Sequence, residues 1–178
     1  TKTPQGVLAV AKRKEYTIDS ILKEAGRPFS LLILDSLQDP GNLGTLVRAA
    51  EGAGITCIIM NENTVDIYNP KVIRSTMGSI FRVPFIYVKD LKEVIDKLKS
   101  KAVEIFASSL EGATEYDKPD YKKDIAFIIG NEAAGISKDI LDIVEKKIKI
   151  PMLGEVESLN AAVAGSILMY EAARQRRL

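Results

Sequence analysis

The pattern of apolar and polar residues along the chain alternates between short apolar runs and segments of helical spacing. Residues 31–34 and 125–129 are unbroken apolar runs, a pattern typical of strands buried on both faces of a sheet. Residues 91–99 instead place four apolar side chains at helical spacing among lysines, which predicts an amphipathic surface helix. The same criteria predict further strands over 6–10, 56–60, 85–88, 103–107 and 147–150, and further helices over 18–25, 48–53, 71–77 and 138–144.

This alternation predicts an α/β fold with a largely parallel sheet flanked by helices. Ligand sites in such sheets lie beyond the carboxyl ends of the strands. Three predicted strand ends carry polar or glycine-rich loops, after residues 34, 129 and 150. We therefore expect these three loops to form one site.

The last predicted helix, over residues 161–173, is rich in small residues and apolar on nearly all sides. A helix that is apolar all round is expected to be buried. Its small side chains would let another backbone approach closely, so we expect an interface or a crowded core around it. Ser158 is predicted to be its N-cap, because a serine hydroxyl can accept from the free amides of a first helical turn.

Composition narrows the possible functions. The 178 residues include no histidine and one cysteine, Cys57, which lies in an apolar run. Histidine-dependent catalytic triads, histidine-containing metal sites and a disulfide within one chain are therefore excluded. We expect a cytoplasmic protein without a membrane partner, since no apolar run approaches membrane-spanning length.

The net charge is only +1, but both ends of the chain are basic, through Lys2, Lys12, Arg13 and Lys14 at one end and Arg174, Arg176 and Arg177 at the other. Such clusters are either solvated faces or contacts for phosphate groups. The sequence leaves both alternatives open.

The loop over residues 35–44 is predicted to be a tight turn with Asn42 at its tip, and Arg48 follows on the next helix. Arginine offers a planar fork of donors that suits phosphate or carboxylate. After the strand over 125–129, Glu132 stands between two glycines. This carboxylate is either an ordinary surface group or a functional one, and the glycine spacing matches neither a P-loop nor a dinucleotide fingerprint.

Three motifs resemble those of the SpoU, or TrmH, branch of the SPOUT methyltransferases, in the family's order and over residues 30–173. They are Asp39-Pro40-Gly41-Asn42-Leu43-Gly44 with Arg48, Ile129-Gly130-Asn131-Glu132 with Gly135, and Ile150-Pro151-Met152 with Ser158-Leu159-Asn160. The resemblance implies S-adenosylmethionine-dependent methylation of a ribose 2′-hydroxyl in RNA, with ribosomal RNA favoured over transfer RNA. It also implies a homodimer, a C-terminal trefoil knot and no metal.

The resemblance further implies two sets of site residues. The catalytic set is Arg48, Asn42, Glu132, Ser158 and Asn160. The cofactor-binding set is Ser108, Ser109, Leu110, Ile129, Gly130, Asn131, Ile150, Pro151, Met152 and Leu159. One departure is the pair Ala133 and Ala134, where many relatives have glycine, and this pair could alter the turn.

The proton of the attacking hydroxyl has no histidine to receive it. A guanidinium has no lone pair, so we expect Arg48 to orient the hydroxyl and to stabilise the developing alkoxide while an RNA phosphate helps to disperse the proton. Glu132 is the competing base. The residues alone do not decide between the two.

We expect residues 30–178 to form the catalytic domain. Residues 1–29 would then form a basic segment and helix, at the junction to an RNA-binding domain missing from this chain. The alternative function is an RNA-binding module that holds the cofactor without turnover. A nucleotide-binding enzyme of ordinary doubly wound topology is disfavoured by the missing phosphate fingerprints.

Overall fold

The computed structural model of the protein describes residues 6, 7, 10, 12–110 and 114–177. Within this part of the chain, strands and helices alternate as predicted, except that three strands follow one another over residues 104–129. The helices are α1 (Ile18–Glu24), α2 (Pro40–Ala53), α3 (Pro70–Ser75), α4 (Leu91–Ser100), α5 (Lys138–Leu141) and α6 (Ala161–Arg177), with a short 3-10 helix over Ser79–Phe81. The strands are β1 (Ser30–Leu34), β2 (Cys57–Asn61), β3 (Phe85–Val88), β4 (Glu104–Ser108), β5 (Thr114–Glu115), β6 (Ile125–Ile129) and β7 (Lys146–Lys149).

The seven described strands form one sheet in the order β3-β2-β1-β6-β4-β7-β5, and their pairings are all parallel. Leu32 of β1, for example, lies between Ile58 and Phe127 of its neighbours. The prediction of an α/β fold with a parallel sheet is confirmed. Because β1 leads outward to β2 and β3, and the later strands fill the other side, the carboxyl ends of β1, β6 and β4 flank a topological switch point.

The sheet is covered on both faces, which explains the unbroken apolar runs. Leu32 and Leu34 of β1 pack in the cluster that also contains the buried residues of α2 and α6. Leu31 and Ile33 pack in the opposite cluster, with α1, α4 and α5. Alternate side chains of a strand point to opposite faces, so a central strand needs apolar residues at every position.

The loop predicted over 35–44 is confirmed only for residues 35–39, and the tight turn predicted at 40–44 was wrong, because α2 already begins at Pro40. The Asp39 side chain caps the helix by accepting from the Asn42 amide at 2.8 Å. Proline suits the first helical position, where its missing N–H needs no partner. Gly44 is helical too, and a Cβ there would lie 1.7 Å from Ser75 Oγ, so glycine at this position reflects close packing of α3.

The prediction of Ser158 as the cap of α6 was also wrong. Asn160 is the cap, and its Oδ1 accepts from the amides of Ala162 and Val163. In the single chain α6 is not buried on all sides, since the side chains of Val163 and Tyr170 are each 47% exposed. The helix therefore presents an apolar stripe to its surroundings.

The C-terminal arginines are used within the chain. Arg174 pairs with Glu171 at 2.8 Å, and this contact lowers the pKa of the Glu171 carboxyl. The Arg176 guanidinium donates to the backbone carbonyl oxygens of Tyr121, Phe29 and Lys123. Arg176 therefore fastens the end of α6 to the segments that precede β1 and β6.

Smaller differences concern short elements. The predicted strand over 6–10 is absent at Gly6, Val7 and Val10, and its other two positions lie outside the described residues. The helix predicted over 138–144 ends at Leu141, while β5 and the 3-10 helix were not predicted. Among the described residues, no helix is both long enough and apolar enough to cross a membrane.

Candidate functional site

A cavity of about 470 Å³ opens at the carboxyl ends of β4, β6 and β7. Its size is in the range usual for small-molecule sites. The predicted cofactor-binding residues line it with the exception of Pro151: Ser108, Ser109, Leu110, Ile129, Gly130, Asn131, Ile150, Met152 and Leu159. The structure thus brings together residues that lie up to 51 positions apart in the sequence.

The loop after β6 forms one wall of the cavity and is closed by its own backbone. Asn131 and Gly135 exchange two backbone hydrogen bonds of 2.9 Å. A Cβ on Gly130 would lie 2.2 Å from backbone atoms of Gly135 and Ile136, so only glycine lets the loop close this tightly. Gly130, which has no side chain, therefore lines the cavity through its backbone.

The pair Ala133 and Ala134 does not disturb this loop. Both amides donate to Asn131 Oδ1 at 3.0 Å. Gly135 has a left-handed φ of 70°, whereas neither alanine does. Alanine at positions 133 and 134 is therefore compatible with the turn.

The Glu132 carboxylate is held by three hydrogen bonds. It accepts from the backbone amides of Gln38 and Asp39 at 3.0 and 2.9 Å, and from Asn42 Nδ2 at 2.9 Å. Partial burial alone would raise the pKa of Glu132, but these donors outweigh it and hold the pKa below its usual value. Glu132 is thus stabilised as an anion that fixes the start of α2, and it is poorly suited to accept a proton.

Asn42 extends this arrangement to α6. Its Oδ1 accepts from Asn160 Nδ2 at 2.9 Å, while Asn160 Oδ1 caps α6. The carboxylate of Glu132 can only accept, so it fixes the orientation of the Asn42 amide, and Asn42 in turn fixes that of Asn160. Three of the five predicted catalytic residues therefore form one hydrogen-bonded chain across three segments.

The other two predicted catalytic residues lie apart from this chain. Ser158 lines the cavity. Arg48 is exposed on α2, six residues after Asn42, and it does not line the cavity. Among the residues that the structure describes, Arg48 makes no ion pair or hydrogen bond, so its guanidinium is available to a ligand.

One residue that supports the site was not singled out from the sequence. Asp35, directly after β1, is 4% exposed and accepts from the amide and hydroxyl of Ser137 at 2.8 and 2.7 Å. It also accepts from Asn61 Nδ2 at 3.0 Å. A carboxylate placed directly after a buried strand is the signal that could have revealed it, since burial demands partners.

Comparison with known proteins shows extensive similarity. The model of the SpoU rRNA Methylase family matches residues 30–170. The chain is 35% identical over 170 residues to the 23S rRNA (guanosine(2553)-2′-O)-methyltransferase RlmP of Bacillus subtilis (strain 168), covering 96% of this chain and 65% of the relative. It is 36% identical over 176 residues to a putative TrmH family tRNA/rRNA methyltransferase of Staphylococcus epidermidis, covering 97% and 71%. The chain thus spans about two thirds of the length of these relatives.

Solved structures show the same fold. The SpoU methyltransferase AviRb from Streptomyces viridochromogenes, in complex with the cofactor AdoMet, gives a TM-score of 0.81 at 30% identity, covering 90% of this chain and 65% of that one. An AdoMet-bound rRNA methyltransferase from Sinorhizobium meliloti gives 0.78 at 34% identity, covering 83% and 56%.

Proposed function

Because the chain belongs to the SpoU rRNA methylase family, we propose that it transfers a methyl group from S-adenosylmethionine to a ribose 2′-hydroxyl in RNA, with ribosomal RNA as the substrate class. The observation that carries this proposal is the hydrogen-bonded chain Glu132–Asn42–Asn160 beside a cavity lined by three strand ends. The similarity to RlmP supports the choice of ribosomal RNA.

We assign the cavity to S-adenosylmethionine. Its lining suits such a molecule, because backbone groups after β4, β6 and β7 can bind an adenine edge, and Leu110, Ile129 and Leu159 offer apolar surface. A Cβ at Gly130 would be excluded by the same loop that shapes this wall. When bound, the cofactor supplies an electrophilic methyl group on a sulfonium, so no metal is required for the transfer.

In our proposal Arg48 orients the attacking ribose hydroxyl and stabilises the negative charge that develops on it. Its exposure leaves it free to meet RNA. Glu132 does not act as the base, because three donors already engage its carboxylate. The hydroxyl proton passes to an RNA phosphate close to Arg48 and from there to water. Ser158 lines the cofactor cavity, and Asn160 fixes the start of α6 beside the reacting groups.

We also propose a homodimer in which the exposed stripe of α6 is buried. Tyr170 lies against Gly52 of α2, where an added Cβ would be 2.5 Å from the Tyr170 hydroxyl. Gly52 follows Arg48 by four residues, so the two share one face of α2. Pairing of this surface therefore brings Arg48 to the boundary between two protomers. We further propose that the C-terminal part of the chain forms a trefoil knot.

We also propose a division of the chain into two regions and a cellular location. Residues 30–178 form the catalytic domain, and residues 1–29 form its junction to an RNA-binding domain. The reaction takes place in the cytoplasm.

Incubation with radiolabelled S-adenosylmethionine and ribosomal RNA that lacks the modification tests this function. The RNA is then digested to nucleosides and the label is identified. We expect label in a 2′-O-methyl nucleoside. Cofactor binding without transfer to ribosomal or transfer RNA would instead identify a binding module without turnover.

A further inference from the structure

An exposed surface on α3 and the 3-10 helix is not used by the site described above. We call it the α3 strip and define it by Lys71, Ile73, Arg74, Met77 and Phe81. Phe81 is 83% exposed and Met77 is 69% exposed, while Ile73 is 38% exposed. An exposed aromatic ring and an exposed thioether within five residues of each other mark a surface that contacts something else.

The backbone fixes these side chains outward. Met77 has a left-handed φ of 50°, which is unfavourable for a residue with a side chain, and Gly78 follows with φ 87°. The neighbouring Thr76 and Ser79 are buried. Backbone strain of this kind persists only where the surroundings enforce it.

The α3 strip runs beside Arg48. At one end, Ser75 packs so closely on Gly44 that no Cβ would fit there. At the other end, Glu51 accepts from Ser79 Oγ at 2.7 Å and pairs with Arg82. Residues 75–82 therefore follow α2 from Gly44 to Glu51, and Arg48 lies between these two points on the same helix.

The charge of the strip favours a polyanion. Residues 68–82 contain three cations, Lys71, Arg74 and Arg82, and no carboxylate. Arg82 is neutralised by Glu51, which leaves Lys71 and Arg74. Next to the strip, the Arg13 guanidinium lies 5.2 Å from the centre of the Tyr68 ring and adds a further positive charge. A second copy of this chain would bring like charges together in a two-fold contact, which disfavours self-association here.

We propose that the α3 strip binds single-stranded RNA next to the methylated nucleotide. An unstacked base lies on the Phe81 ring and beside Met77, and the flanking phosphates contact Arg74 and Lys71. Aromatic side chains between cations are the usual means of holding unpaired bases. This inference rests on the proposed function, because it takes Arg48 as the group that meets the ribose.

Photo-crosslinking tests the inference with the full chain and a ribosomal RNA transcript that contains 4-thiouridine. Trypsin cleaves after Arg74 and Arg82, so residues 75–82 form one peptide that contains both Met77 and Phe81. We expect RNA adducts on this peptide and none on peptide 93–97 of α4, which lies on the other face of the sheet. Adducts confined to other peptides would overturn the proposal.

Substitutions separate base stacking from other roles. We expect Phe81→Ala to weaken RNA binding roughly tenfold and Phe81→Leu to weaken it nearly as much, because both lack a flat ring, whereas Phe81→Trp retains binding. Lys122→Ala, an exposed cation before β6, is the matched control. If Phe81→Leu binds RNA like the unsubstituted chain, or if Phe81→Ala changes the oligomeric state in sedimentation, the strip serves a protein contact instead.

Methyl transfer and RNA binding by the α3 strip can be refuted independently of each other. If the unsubstituted chain transfers no methyl group to any RNA, the activity is refuted whatever the crosslinks show. If the chain methylates RNA and Phe81→Ala binds RNA with unchanged affinity, only the inference on the α3 strip is refuted.

Discussion

Asn160 Nδ2 donates a hydrogen bond of 2.9 Å to Asn42 Oδ1, although 118 positions separate the two residues in the chain. Each side-chain amide uses both its oxygen and its nitrogen, since Asn42 Nδ2 also donates to Glu132 and Asn160 Oδ1 also caps α6. The start of α2 and the start of α6 are therefore positioned by the same hydrogen-bonded chain. This coupling leads to the first prediction.

Asn42→Asp places a second carboxylate against Glu132, where Asn42 now donates at 2.9 Å. Like charges at this distance repel, and the donor to Glu132 is lost, although an aspartate oxygen can still accept from Asn160 Nδ2. We expect a loss of stability of about 1–3 kcal/mol and a slower single-turnover methyl transfer. Asn63→Asp is the control, since Asn63 is exposed and its side chain does not belong to this chain of bonds. Equal effects at both positions would contradict the coupling.

Glu132→Gln tests the anchoring of the loop before α2. A folded-state pKa below the usual value means that the carboxylate stabilises the fold above its usual pKa of about 4.5 and loses this effect as the pH falls through the lowered value. We expect the substitution to destabilise the protein at pH 7 by about 1–2 kcal/mol. The difference in unfolding free energy between the two proteins should become smaller in acid. Urea unfolding between pH 7 and pH 3 measures this difference, and a difference that is independent of pH would count against a stabilised anion.

Arg48→Ala removes a side chain that is exposed and unpaired within the described part of the structure. Stability should change by less than about 0.5 kcal/mol, as for other surface positions. Methyl transfer in single turnover should fall by a factor of about 10² or more, because an electrostatic contact to the developing charge is lost. Lys122→Ala provides the comparison. An unchanged rate for Arg48→Ala with saturating cofactor would remove Arg48 from the mechanism.

Gly130→Ala and Gly135→Ala separate two reasons for glycine in one loop. At Gly130 a Cβ would meet backbone 2.2 Å away, whereas at Gly135 space is open but φ is 70°. We expect Gly130→Ala to abolish S-adenosylmethionine binding in calorimetry. Gly135→Ala should bind the cofactor and lose only about 1 kcal/mol of stability. Gly154→Ala, with open space and no left-handed φ, is the neutral control.

Val163→Glu tests the proposed dimer surface on α6. The side chain is 47% exposed in the single chain, so a carboxylate is tolerated by the fold but not by an apolar interface. We expect sedimentation to show a monomer whose circular dichroism spectrum matches that of the unsubstituted chain, with an unfolding temperature lowered only by the loss of the subunit contact. Val10→Glu, at a position that is 94% exposed, should leave the dimer intact. A Val163→Glu variant that still dimerises would place the interface elsewhere.

The central strands could be predicted because strands buried on both faces are apolar at nearly every position, as in β6 and in residues 31–34 of β1, whereas the exposed two-residue strand β5 has no such signal. The three loops could be expected to lie near one another, since the carboxyl ends of parallel strands lie at one edge of a sheet. The cavity residues came from the family resemblance rather than from periodicity, and Ser108, Ser109 and Leu110 lie outside the three motifs. Pro151, although it belongs to a motif, does not line the cavity.

The helix starts could not be decided locally. Asp39-Pro40 signals a helix start, while the glycines at 41 and 44 signal a turn, and the contact of Gly44 with Ser75 that resolves this conflict is tertiary. Ser158 and Asn160 are both good caps, and the Asn42 side chain favours Asn160. Asp35 was missed because its partners Ser137 and Asn61 come from distant segments.

The contact of Arg176 with three backbone carbonyl oxygens has a consequence for biosynthesis. On the ribosome, α6 is translated after every strand that it covers. The backbone carbonyl oxygens before β1 and β6 therefore gain their hydrogen bonds to Arg176 only once that residue has left the exit tunnel. The strands can pair with one another before that point, whereas the cover that α6 provides on one face of the sheet forms only afterwards. The Asn160 side chain at the start of α6 likewise reaches Asn42 only after β1, β6 and β7 have been translated.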